Sequence, residues 1–149
     1  MTDVEKLPRV GGTDAGGYYE VAPDVLIAYP REHYKQNEVD ARASLTEMYR
    51  IARDRGRCVV TVVLVDRVKN QDSAARRVWK DEIDPDLIAG LALVAESMLG
   101  RAIVSFFIGL TRPRVPTVMV ATVEDAVEWA NKILTERGAL KGPAQSIDD

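Results

Sequence analysis

The run Cys58-Val59-Val60-Thr61-Val62-Val63-Leu64-Val65 constrains the fold more than any other part of the chain. A continuous stretch of mostly β-branched residues, with no polar alternation, describes a strand buried on both faces of its sheet, and such strands pair mainly in parallel. Burial on both faces requires helices on both sides, so the run points to the α/β class. The flanking sequence supplies those helices. Ahead of the run, Ala41, Leu45, Met48, Tyr49 and Ala52 recur at helical spacing. Asn37 stands at the start as a cap, Arg53 and Arg55 occupy the last turn, and Gly56 stops the helix.

Residues 18–22 and 25–29 are β-prone and flank Pro23-Asp24, a pair suited to a tight turn, so they predict an antiparallel hairpin. Beyond the apolar run the pattern predicts a helix over 72–82, a strand over 91–95, an apolar helix over 98–111, a strand over 117–121 and a helix over 123–136. Thr122 caps the last helix with Asp125 three residues on, and Ala126, Val127, Ala130, Ile133 and Leu134 form its inner stripe. The resulting order, ββαβαβαβα, is that of an α/β sandwich around a mostly parallel sheet with right-handed crossovers. The folded domain is expected over 18–137. Residues 1–17 end in Gly11-Gly12-Thr13-Asp14-Ala15-Gly16-Gly17, which offers little side-chain burial against its ordering entropy, and read as a flexible N-terminal arm. Residues 138–149 read as a flexible C-terminal tail.

Composition then narrows the chemistry. The chain of 149 residues is 46% hydrophobic and 29% charged, with 20 basic against 23 acidic side chains, which is the balance of a single globular domain. One cysteine and one histidine exclude an internal disulfide and argue against a transition-metal site, so no metal, cofactor or catalytic set is expected. No apolar run is long enough for a membrane span and the start lacks a secretory core, which gives a cytoplasmic expectation. The near-neutral charge argues against nucleic acid as a partner.

In a parallel sheet, ligands meet the loops beyond the carboxyl ends of the strands. Here these are residues 66–73, Glu96-Ser97 and Thr122. Asp66, Lys69, Asp72 and Ser97 are the polar groups of these loops, with Asp66 read as a hydrogen-bond acceptor that fixes its loop. Asp72 or Ser73 caps the following helix, and Ser73 is also a candidate phosphate acceptor because a helix N-terminus stabilises added negative charge. Arg67, Arg76, Arg77 and Lys80, with Lys69, form a basic patch on or beside that helix. His33 and Tyr34 read as a polar surface connection, and Cys58, without a neighbouring base, as a structural thiol.

The helix over 98–110 carries more apolar surface than one buried face needs. Ile103, Phe106, Phe107 and Leu110 make the inner stripe, while Ala102, Val104 and Ile108 extend the apolar surface round the helix, and Met98 and Leu99 begin it. Such a surplus points to an apolar ligand, a protein partner, a second copy of the chain or a membrane surface. Arg101, Arg112 and Arg114 bracket the stretch.

These residues resemble a family. The buried strand ending in Val65-Asp66, the helix start Asp72-Ser73-Ala74-Ala75-Arg76, the segment Phe106-Phe107-Ile108-Gly109-Leu110-Thr111-Arg112-Pro113-Arg114-Val115-Pro116-Thr117 and the following Val123-Glu124-Asp125-Ala126-Val127-Glu128-Trp129 look like a SpoIIAA-like STAS domain. The resemblance covers nearly the whole folded unit, and none of its motifs is catalytic. It implies a non-enzymatic regulatory or binding module. One branch, grouped with CRAL-TRIO lipid carriers, has a mobile apolar third helix, which implies an apolar lipid-like ligand or peripheral membrane association through 98–110. The alternative is the anti-sigma-factor-antagonist branch. Its members bind a serine-kinase anti-sigma factor and are switched by phosphorylation of a serine at the position of Ser73. Antagonists usually carry Asp-Ser-Ser/Thr-Gly at that turn, where this chain has Asp72-Ser73-Ala74-Ala75.

Overall fold

The computed structural model describes residues 3–111 and 113–137, apart from the side chains of 110 and 111. In chain order the elements are β1 (Arg9–Thr13), β2 (Gly16–Ala22), β3 (Val25–Pro30), β4 (Tyr34–Gln36), α1 (Glu38–Arg55), β5 (Val59–Leu64), β6 (Val68–Gln71), α2 (Ser73–Asp81), β7 (Ile88–Val94), α3 (Met98–Thr111), β8 (Thr117–Val120) and α4 (Val123–Arg137). Six strands form one mixed sheet in the order β1-β2-β3-β5-β7-β8, and β4 and β6 form a second, two-stranded sheet. β1, β2 and β3 run antiparallel, whereas the β3-β5, β5-β7 and β7-β8 pairs are parallel. The molecule is therefore an α/β protein, with the expected parallel half and an antiparallel extension at one edge.

The alternating sides of the strands divide the interior into two cores. On one face Leu26, Val59, Leu91 and Leu93 pack with Leu45, Met48 and Ile51 of α1, Val78 and Trp79 of α2 and Val104 of α3. On the other, Val25, Ile27, Val60, Val62, Ala92 and Val94 pack with Ala126 and Ala130 of α4. Both faces of β5 and β7 are covered over most of their length, as the 58–65 run requires. β7 is buried at every position, while Val63 and Leu64 of β5 are only half-buried. The predicted start of that strand at 91 moves back to Ile88.

Local signals place the helices as expected. Asn37 and Asp40 form a reciprocal capping box at the start of α1, and Gly56 ends it in the left-handed region at φ 67°. Asp72 rather than Ser73 caps α2, its carboxylate accepting from the Ala75 amide at 2.8 Å. Thr122 caps α4 by accepting from the Asp125 amide at 3.0 Å.

Three strands depart from the expected order. Residues 9–13 are not a free arm but the edge strand β1, and β2 begins at Gly16 rather than 18. Their glycines pair through the backbone, which needs no side chain to bury. The edge is further tied to α1, because Glu47 accepts from the Gly12 amide at 2.7 Å and Arg50 donates to the Val10 carbonyl at 3.2 Å. A Cβ at Gly11 would meet the ends of the Glu47 and Arg50 side chains, which would have to move aside. The 66–73 loop likewise contains β6, and the polar connection around Tyr34 contains β4. The two pair with each other across more than thirty intervening residues. Residues 138–149, read above as a tail, lie outside the described residues.

An ion-pair cluster fixes the β2-β3 hairpin to the end of α1. Asp24, at φ 62° in the turn, sits 3.1 Å from Arg55 and 2.8 Å from Arg57, and Glu20 lies 2.6 Å from Arg55. The Arg55 guanidinium holds the Glu20 carboxyl below its ordinary range. At Asp24 partial burial pushes upward, but the hydrogen bonds from Arg57 and Arg55 outweigh it and the net shift is also downward. Carboxyls depressed in the folded state stabilise it above their unfolded pKa, and that contribution is lost as pH falls through the folded values. Stability to urea should therefore fall on acidification below the ordinary carboxylate range. Asp24→Asn, which tolerates the left-handed backbone, should lower stability at neutral pH by about 1 kcal/mol after solvent screening and flatten that acid limb. An acid limb as steep as that of the wild type would remove the cluster from this role.

Candidate functional site

The site is built from the carboxyl ends of β5 and β7, where the chain turns into β6 and α3. Asp66, in the single 3-10 turn Val65–Arg67 after β5, reaches across to the start of α3. One carboxylate oxygen accepts from the Glu96 amide at 2.8 Å and the Ser97 amide at 3.4 Å, and the other accepts from the Ser97 hydroxyl at 2.6 Å. The Ser97 hydroxyl oxygen in turn accepts from the Gly100 amide at 2.8 Å, capping α3. A Cβ at Gly100 would collide with Asp66 Oδ1, so glycine is needed for this approach. Asp66 is thus a loop-fixing acceptor, as its position suggested, and its engaged oxygens set where α3 begins.

From that anchor α3 lies with Ile103, Phe107 and Ile108 half-buried against the core and Val104 fully buried at 1% exposure. This corrects the stripe read from sequence. The spacing puts Val104 on the surplus outer surface and Phe106 on the inner stripe. Instead, Phe106 is 56% exposed, with Met98 at 88% and Leu99 at 72%. Met98, Ala102 and Phe106 recur every fourth residue and make one outer row. The rotation follows from α3 packing beside α2 and β8, a tertiary neighbourhood that apolar spacing on an almost wholly apolar helix does not define. The side chain of Leu110 and all of Arg112 lie outside the described residues.

Between α3 and the small sheet runs a groove of about 280 Å³, bordered by Val68, Lys69, Asn70 and Gln71 of β6, Arg76 of α2, and Ala102, Ile103, Phe106 and Phe107 of α3. Behind it lies a cavity of about 90 Å³ whose walls include Val63, Val65, Leu91, Leu93, Trp79, Ile103, Val104 and Phe107. Val68, Gln71, Ile103 and Phe107 border both spaces. The polar wall is internally satisfied: Gln36 Oε1 accepts from Gln71 Nε2 at 2.6 Å and from Trp79 Nε1 at 3.0 Å. A smaller chamber of about 50 Å³ continues towards Tyr18, Tyr34 and Ser44. The Tyr34 hydroxyl is buried and makes no hydrogen bond of normal geometry. Burial pushes its pKa up to about 12, Asp40 adds to the rise, and Gln36 and Arg31 oppose it.

The basic residues divide. Arg76 borders the groove, with its guanidinium 5.5 Å above the Phe106 ring and one donor on the Gln71 carbonyl at 2.7 Å. Lys69 borders the same groove from β6 rather than from a loop. Arg77 and Lys80 are exposed on α2. Arg67 leaves the patch, because it donates to the Pro30 carbonyl and lies 4.1 Å above the Tyr29 ring. Arg114 donates to the Asp81 carbonyl, and Arg101 to the Ala95 carbonyl. Ser73 is exposed in the first turn of α2. His33 is exposed, with φ 58°. Burial raises the Cys58 thiol pKa, which disfavours the thiolate.

Sequence patterning did not reveal Tyr34, Gln36, Gln71 or Trp79 as cavity residues. The alternation in residues 34–36 and 68–71 is too short to announce two strands, and only their pairing roofs the cavity. Among the described residues, no group of three or more potential metal ligands gathers, and no helix is long and apolar enough to cross a membrane.

These features define an α/β protein with a mixed six-stranded sheet, four helices among the described residues, and an apolar cavity at the carboxyl ends of its parallel strands. The sequence model of DUF7793, a domain of unknown function, matches residues 19–134, and the chain belongs to that family. No curated protein and no solved structure matches it.

Two substitutions test the local energetics. Asp66→Ala removes the acceptor of the Glu96 and Ser97 donors, which lie at the surface where water can replace it, and should cost about 0.5–1.5 kcal/mol in a urea titration, with faster amide exchange in the first turn of α3. Tyr34→Phe removes a buried hydroxyl that lacks a partner, and should leave stability unchanged or raise it by about 1 kcal/mol. A loss of more than that would show that the hydroxyl is satisfied in solution.

Proposed function

We propose that this chain is a non-enzymatic binding module that takes an apolar ligand through α3 and the groove beside it. The observation that carries the reading is the conjunction of three exposed apolar side chains of α3, Met98, Leu99 and Phe106, with an apolar cavity behind the same helix. Energetics favour using both. Burying one large apolar side chain contributes about 1.5–3 kcal/mol, so three of them together reach only the lower half of an association cost of roughly 4–15 kcal/mol. Contact inside the cavity adds the desolvated area that a flat surface contact lacks. The resemblance to SpoIIAA-like STAS domains, including the branch grouped with lipid carriers, supports the same reading.

Ser73 supports a second reading, as the acceptor of a regulatory phosphate. Its exposure in the first turn of α2 makes it accessible, and Arg76 and Arg77 stand three and four residues further along the helix. Phosphate oxygens there would compete for the Arg76 guanidinium that now lies over Phe106. Incubation with serine kinases of the anti-sigma type, followed by peptide mass mapping, tests it; modification elsewhere or nowhere removes Ser73.

For the main reading, a neutral fluorescent probe such as N-phenyl-1-naphthylamine should bind the wild-type protein saturably. Phe107→Asp, which places a carboxylate on the wall shared by groove and cavity, should weaken binding at least tenfold while far-ultraviolet circular dichroism is retained. Phe106→Asp, exposed and bordering only the groove, should weaken binding less than Phe107→Asp. Absence of saturable binding to wild-type protein, together with no co-purifying ligand in native mass spectrometry, would sink the proposal.

A further inference from the structure

Resting on the apolar-ligand reading, we infer that the ligand is a single-chain fatty carboxylate, held with its head at Lys69 and Arg76 and its chain passing beneath β6 to Trp79. The head is assigned by charge. The groove is bordered by two cations, Lys69 from β6 and Arg76 from α2, and by no acidic side chain. Lys69 makes no ion pair among the described residues, while Arg76 already gives one donor to the Gln71 carbonyl and its face to Phe106. A monoanion matches this limited supply of donors better than a phosphate dianion, whose three oxygens would need more.

The path of the chain is assigned by the walls. Val68, Gln71, Ile103 and Phe107 border both the groove and the cavity behind it, so a chain leaving the head between β6 and α3 meets the cavity next. Gln36 and Gln71 stand in that wall but bond each other and the Trp79 indole, so they do not demand a polar ligand. At about 90 Å³ the cavity has room for part of one chain and not for the paired chains of a phospholipid. Trp79, 7% exposed, forms part of its wall, whereas Trp129 packs in the core on the opposite face of the sheet.

That placement supplies its own reporter. Fatty carboxylates carrying bromine at the chain terminus, in a series of increasing length, should bind Trp129→Phe protein and quench Trp79 fluorescence, with the strongest quenching at an intermediate length. In Trp79→Phe protein, whose remaining indole is Trp129 in the core on the opposite face of the sheet, the same ligands should quench little at concentrations that calorimetry shows to be saturating. The double variant Lys69→Gln, Arg76→Gln should bind roughly fivefold more weakly, the scale of exposed ion pairs, and added salt should erase the difference. An alkyltrimethylammonium of matching length should bind more weakly than the carboxylate.

Binding without Trp79 quenching would put the chain on the outer row of α3, overturning this inference and leaving the apolar-ligand reading intact. Equal affinity for the carboxylate and the ammonium would overturn the head assignment, and tighter binding of an alkyl phosphate would replace it. Protein that floats with anionic vesicles but binds no free carboxylate would make the surface a membrane contact instead. Failure of the neutral probe as well as every amphiphile removes both readings.

Discussion

The structure depends on keeping water from both faces of β3, β5 and β7. Those strands carry apolar side chains on their two sides, so the sheet is stable only as the middle of a layered molecule. α1, α2 and α3 cover one face and α4 covers the other. The same requirement decides where the covering is thin. The face under the three helices is broad, and between α2 and α3 it is closed partly by the short β4-β6 sheet instead of a helix. Two strands of three and four residues make a thinner roof. The cavity lies beneath that part of the roof.

Asp66 converts the end of a buried strand into the position of a helix. Its two carboxylate oxygens hold the Glu96 and Ser97 amides and the Ser97 hydroxyl, and Gly100 leaves room for it. A carboxylate that accepts three hydrogen bonds from the turn opposite is a local constraint, because charge-assisted hydrogen bonds are the stronger ones. With its first turn held, α3 leaves Met98, Leu99 and Phe106 exposed and runs beside the groove.

The charge distribution separates structural from available cations. Arg42, Arg50, Arg55 and Arg57 are engaged by carboxylates, those of Arg50 on its own helix and those of the others wholly or partly on other elements. Arg67 and Arg114 are spent on backbone carbonyls, Arg67 also on an aromatic ring. Lys69 and Arg76 remain at the groove. A net charge of −3 conceals this, because a sum over the chain does not distinguish a cation inside an ion-pair cluster from one at a groove.

The sequence by itself determined the α/β class, the β2-β3 hairpin, the four helices and the caps of α1 and α4, because each rests on signals within a few residues: an apolar run, a helical period, Asn37, Gly56, Thr122. It also marked the helix beginning at Met98 as too apolar and Asp66 as an acceptor. Only the tertiary structure decided which side of that helix faces out. On a helix apolar nearly all round, the period is weak and the neighbours choose the buried face, so Val104 went in and Phe106 came out. The same holds for β1, β4 and β6, whose glycine-rich or polar sequences gain strand structure from distant backbone partners. Tyr34, Gln71 and Trp79 meet at one cavity through pairings that no local pattern contains.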